Sequence, residues 1–89
     1  MPSLIVTIAN RLGLHARAAA QVVRIASAYE SEIKVARGDK EVDGKSIMGL
    51  MMLAASQGTE IEIRTEGVDA EDALEALRKL ISTRFGESA

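Results

Sequence analysis

His15 is the single histidine of an 89-residue chain, and it lies in the run Gly13-Leu14-His15-Ala16-Arg17-Ala18-Ala19-Ala20. A glycine able to turn the chain comes first, the imidazole follows, and an alanine-rich stretch then starts a helix. The first turn of a helix has backbone N–H groups without partners and the positive end of the helix dipole, so it suits an anion. A ring placed there can hold a phosphoryl group, with the backbone of Ala16, Arg17 and Ala18 available to its oxygens. The dipole favours the neutral, nucleophilic ring before transfer and the phosphate charge after it. Arg17 adds a planar cationic donor matched to phosphate oxygens. The chain has no Walker loop, no carboxylate cluster for Mg²⁺ and no nucleotide motif, so it is expected to take phosphate from another protein and not from ATP.

A second run, Gly44-Lys45-Ser46-Ile47-Met48-Gly49-Leu50-Met51-Met52-Leu53, carries different chemistry. Ser46 is placed to cap a short helix, and the same hydroxyl could accept a regulatory phosphate, whose charge a helix N-terminus tolerates. The helix is apolar nearly all round, yet on a sheet it can bury only one side. Leu50, Leu53 and Ala54 form its expected core face. Ile47, Met48 and Met51 then point to solvent with Met52 at the margin, and exposed methionines suit a surface that binds more than one partner. Gly49 leaves room for close approach by a partner or a neighbouring element.

Composition narrows the classes. A net charge of −2 with only Tyr29 and Phe85 as aromatics argues against a nucleic-acid partner. Zero cysteines and one histidine give no basis for a disulfide framework, a metal centre or a bound cofactor. No apolar run approaches a membrane span and no signal-peptide pattern opens the chain, so a cytoplasmic protein with no membrane partner is expected.

The elements that must position these residues follow from a period switching between two and 3.6. Ser3 to Ala9 reads as a strand, Asn10 to Leu14 as a loop, and Ala16 to Tyr29 as a helix with Ala19, Val22, Val23 and Ala26 inward. Glu32 to Arg37 and Lys40 to Val42 read as a hairpin across Gly38-Asp39. A helix from Ile47 to about Ser56 stops before Gly58. Thr59 to Thr65 alternates strictly, with Ile61 and Ile63 inward. Asp69 is expected to cap a last helix from Ala70 to about Phe85, striped by Ala73, Leu74, Leu77, Leu80 and Ile81, with Glu75 able to pair with Lys79. Residues 1–89 thus form one α+β domain of order βαββαβα, its sheet polar on one face and helix-covered on the other.

Gly13-Leu14-His15-Ala16-Arg17 and Gly44-Lys45-Ser46-Ile47-Met48-Gly49-Leu50 together resemble the HPr family, the phosphocarrier proteins of the bacterial sugar phosphotransferase system, and the likeness spans essentially the whole chain. It implies an open-faced β-sandwich, with three helices on a four-stranded antiparallel sheet, and a monomer. It also implies that His15 accepts phosphate on Nδ1 from phosphorylated enzyme I and passes it to an enzyme IIA, as a substrate of enzymes and not an enzyme itself. Arg17 matches the active-centre arginine, and Ser46 the serine modified by HPr kinase/phosphorylase in members under that control. Leu14, Ala20, Arg24, Ile47, Met48, Gly49, Met51 and Met52 are the expected docking positions. Two departures stand out. Ala18 replaces the usual proline, which loosens the first helical turn and leaves an N–H. Asn10-Arg11-Leu12-Gly13 is similar to the nitrogen-related NPr paralogues. A regulatory module that mainly exchanges binding partners is the alternative. A small ligand-binding domain with an incidental histidine is a third reading, and no evident apolar pocket supports it.

Overall fold

Four alternating segments build one sheet. In the computed structural model, which describes residues 2–87, they are β1 (Ser3–Thr7), β2 (Glu32–Arg37), β3 (Lys40–Asp43) and β4 (Glu60–Glu66). Every pairing is antiparallel and the order is β1-β4-β2-β3. The helices are α1 (Ala16–Ser27), α2 (Ile47–Met52) and α3 (Ala70–Ser82). The βαββαβα open-faced sandwich expected from the sequence is the fold.

Register puts one apolar row inward: Leu4 stands opposite Ile63, which stands opposite Val35, which stands opposite Val42. Ile33, Val35, Ile61 and Ile63 pack there against Ala18, Ala19, Val22 and Ala26 of α1 and Ala73, Leu77 and Ile81 of α3. Burying each valine, leucine or isoleucine of this set contributes roughly 1.5–3 kcal/mol, and each alanine less. Val23, expected inward, is only half-buried. The other face is solvated. Ile5 opposes Glu62, Lys34 opposes both Arg64 and Asp43, and Arg64 Nη2 lies 2.6 Å from Glu41 Oε2.

Element ends differ from the sequence reading for local reasons. β1 stops at Thr7, but the next residue stays tied across the loop, with Ile8 N–H donating to Thr59 O at 2.9 Å and Gly58 N–H to Ile8 O at 2.8 Å. α1 ends at Ser27 and not at Tyr29, because the Ala28 and Tyr29 N–H groups turn back to Ile25 O and Ala26 O in a tightened last turn. α2 ends at Met52, well short of Ser56. Ala54 adopts φ 53, which swings it out to solvent, so the expected core face reduces to Leu50 and Leu53. α3 ends at Ser82; beyond it Arg84 and Phe85 sit at φ 56 and 55, a left-handed conformation costing about 1–2 kcal/mol per residue. That turn drives Phe85 into the core, where it is 2% exposed.

Two expected side-chain interactions are replaced. Asp69 occupies the N-cap position of α3 but makes no cap bond. Its carboxylate accepts instead from Ser31 Oγ, from Ser31 N–H at 2.9 Å and from Glu30 N–H at 3.0 Å, tying the start of α3 to the start of β2. Glu75 pairs with Arg78, not Lys79, since the guanidinium fork reaches both carboxylate oxygens, at 2.9 and 2.6 Å.

Candidate functional site

His15 is the N-cap residue of α1, with extended backbone at φ −81 and ψ −179. Its own carbonyl accepts the first helical bond, from Ala19 N–H at 2.8 Å. The helical positions Ala16, Arg17 and Ala18 therefore lie in the turn where N–H groups have no intrahelical partner. Arg17 and Ala16 are exposed while Ala18 is fully buried, so the first turn has one face on the core and one toward solvent. Ala20 is half-buried and Arg24 exposed on the same helix.

The loop before His15 is braced from below. Leu14 N–H donates to Ala55 O at 2.8 Å, and a Cβ on Gly13 would lie 2.6 Å from that same oxygen. Gly13 also has φ +68, so both the contact and the conformation require glycine. Leu14 is a correction to the sequence reading: it is 6% exposed and packs in the core cluster, so it supports the loop and does not face a partner.

The histidine has a carboxylate beside it that the sequence reading missed. Glu87 Oε2 lies 2.5 Å from His15 Nε2, and Asn10 Nδ2 donates to Glu87 Oε1 at 3.0 Å. Asn10 is fully buried and also donates to Gly13 O at 2.8 Å, so one amide fixes both the loop and the carboxylate. The His15 and Asn10 hydrogen bonds hold the Glu87 carboxyl below its ordinary range against the opposing effect of burial, with a smaller contribution from the Arg17 charge. An ionised carboxylate only accepts, so the imidazole donates through Nε2–H. In the neutral ring, Nδ1 then carries the lone pair. The one local signal was Phe85-Gly86, an apolar residue and a glycine just past a helix, which marks a chain turning back; nothing local says where the next side chain lands.

The α2 surface is as exposed as its composition required. Met48 and Met52 are 76% and 70% exposed, and Ile47 and Met51 are 42% and 45% exposed. Met52 is thus fully on the surface and not marginal. Leu12, on the loop that carries His15, adds a further exposed apolar side chain. Ser46 caps α2 by accepting from Gly49 N–H at 3.0 Å. Gly49 is half-buried, and a Cβ there would lie 3.2 Å from Val42 Cβ; the close approach is to β3. Because α2 packs against α1, this apolar surface is carried on a neighbour of the helix that His15 caps.

Among the described residues, no group of three histidine, cysteine, aspartate or glutamate side chains could hold a metal ion, and no helix is long and apolar enough to cross a membrane. A histidine at a helix N-cap, an arginine in the first turn and a capped methionine-rich second helix are thus gathered on one small domain. A family model described as the PTS HPr component phosphorylation site matches residues 3–83. The chain belongs to the HPr family. It is 52% identical to the phosphocarrier protein HPr of Pseudomonas aeruginosa over 88 residues, 98% of each chain. A phosphocarrier protein NPr from Shewanella violacea is 40% identical over 94% of this chain and 92% of its own. The crystal structure of HPr-C-His from Thermoanaerobacter tengcongensis matches with a TM-score of 0.96 at 45% identity, covering 100% of both chains. The HPr fold and phosphocarrier class read from the two motifs are therefore those of this chain.

Proposed function

We propose that this HPr-family chain is a phosphohistidine carrier: His15 accepts a phosphoryl group from phosphorylated enzyme I and passes it to an enzyme IIA-type protein. The observation that carries the reading is His15 at the N-cap of α1, inside a match to a family defined by a phosphorylation site. In each transfer the donor histidine's P–N bond breaks as a bond forms to Nδ1 of His15, and onward transfer reverses this toward the acceptor. Catalysis is then mostly positioning plus charge stabilisation by Arg17 and the first-turn backbone of Ala16, Arg17 and Ala18. An acidic or apolar partner surface fits over Arg17, Arg24, Ala20 and the patch formed by Ile47, Met48, Met51 and Met52. Ser46 is the regulatory position of this reading, and an HPr kinase/phosphorylase its modifying partner where one is present. The pathway is read toward HPr, not NPr, because identity to the HPr of Pseudomonas aeruginosa is 52% against 40% for the NPr relative.

The test is incubation with phosphoenolpyruvate, Mg²⁺ and either a sugar-type or a nitrogen-type enzyme I, followed by intact mass and acid treatment. The expected product has one acid-labile phosphate, forms faster with the sugar-type enzyme and is absent in His15→Ala. A His15→Ala chain that still gains the phosphate refutes the carrier reading.

A further inference from the structure

We infer that Glu87 is a positioning residue for His15, holding the imidazole by Nε2–H so that Nδ1 faces the incoming phosphoryl group and the ring that results is neutralised. This deepens the carrier reading and rests on it. The carboxylate is built into place and is not a chance surface pair. The His15 and Glu87 side chains are 26% and 16% exposed, and Glu87 is held on its other oxygen by the fully buried Asn10. On its way to His15 the chain turns through Arg84 and Phe85, both in left-handed conformations, with Phe85 anchored in the core. Strained backbone of this kind persists where the surroundings fix it, and it gathers at functional sites.

Charge balance gives the contact its purpose. When Nδ1 attacks phosphorus, the N–P bond of the donor breaks and its electron pair returns to the donor ring. The carrier ring keeps its proton on Nε2, so the phosphorylated imidazole is cationic. A carboxylate already on Nε2 stabilises that cation without any proton leaving, which leaves the phosphoryl oxygens to Arg17 and the first-turn N–H groups. The same contact fixes which nitrogen is the nucleophile, since the ring nitrogen that donates to Glu87 cannot attack.

Two variants of the full chain test this. In ¹⁵N-labelled protein, the wild type is expected to give a downfield, slowly exchanging imidazole N–H resonance on Nε2. It should persist in Glu87→Gln, which keeps an acceptor of the same shape, and vanish in Glu87→Ala. In steady-state phosphorylation by phosphorylated enzyme I, Glu87→Ala should lower kcat about ten-fold, the lower end of the loss found when a metal-bound histidine loses the carboxylate that orients it. KM should not move, and Glu87→Gln should fall between. A faster Glu87→Ala overturns the proposal by making Glu87 a cap that must open; a change confined to KM makes it a docking contact; an unchanged kcat, or a wild type without the resonance, removes the role. A wild type that takes no phosphate sinks the carrier reading and this role together, whereas normal wild-type transfer with an indifferent Glu87→Ala sinks this role alone.

Discussion

The Ser46 hydroxyl accepts from Gly49 N–H at 3.0 Å, and that bond decides what a charge at this position does. Aspartate is as good an N-cap as serine, so Ser46→Asp should fold with unchanged stability while placing a negative charge beside the exposed methionines. It should raise the KM for phosphorylated enzyme I several-fold, as like charge does at a docking rim. Ser46→Ala should lose about 1 kcal/mol in urea unfolding and leave KM alone. A KM that follows stability and not charge would reduce Ser46 to a cap. The positions of His15 at the start of α1, Arg17 in its first turn and Ser46 at the start of α2 were legible because their signals are local: a glycine before, a helix after, a cap position. Glu87 was not, because its partners Asn10 and His15 are more than seventy residues away in the chain. Leu14 was misread for the opposite reason. Its motif neighbours are functional, but the backbone bond to Ala55 turns its own side chain inward.

At the scale of elements, the loop between β1 and α1 holds its shape through Gly13. An alanine there meets Ala55 O at 2.6 Å and Ser56 Cα at 2.9 Å and must keep φ +68. Gly13→Ala should therefore cost about 1–3 kcal/mol from backbone conformation alone, measured by urea unfolding, and slow phosphate acceptance by shifting His15. Full stability and rate in that variant would mean the loop relaxes freely. Strand and helix identities were readable from their periods, since Ile61 and Ile63, or Ala73 and Leu77, report one buried face each. Helix ends were not. α2 stops where Leu53 and Ala54 N–H groups bond to Leu50 O and Met51 O, and no glycine or proline announces it. The N-cap position of α3 was readable at Asp69, but its cap bond was not, because the carboxylate is taken by three donors on Glu30 and Ser31 that lie far away in the chain.

Across the whole molecule, Asp69 joins the N-terminal ends of β2 and α3 and makes the fold acid-sensitive. The Ser31 hydroxyl and then the Glu30 and Ser31 backbone N–H groups hold its carboxyl below the ordinary value of 3.8 despite some burial. The folded state thus binds this proton less readily than the unfolded chain does. Its contribution to stability is complete above 3.8 and is lost as pH falls through the lowered folded value. Asp69→Asn should be less stable than wild type near neutrality, with the gap closing as pH falls below that range, followed by thermal melts across pH; a gap that stays constant would show that the carboxylate charge is not what matters. The antiparallel sheet was legible from one-sided alternation. The order β1-β4-β2-β3 was not, because strand neighbours depend on which edges meet once the helices have closed over the core. That order also has a history. Of the four strands of the sheet β1 leaves the ribosome before the others, and its neighbour β4 after them. Until Glu60–Glu66 has been synthesised, Ser3–Thr7 waits with its backbone groups unclaimed. Closing the sheet is therefore a late, long-range search, and in a crowded cell the waiting strand is the part of a nascent chain that a second copy could claim first.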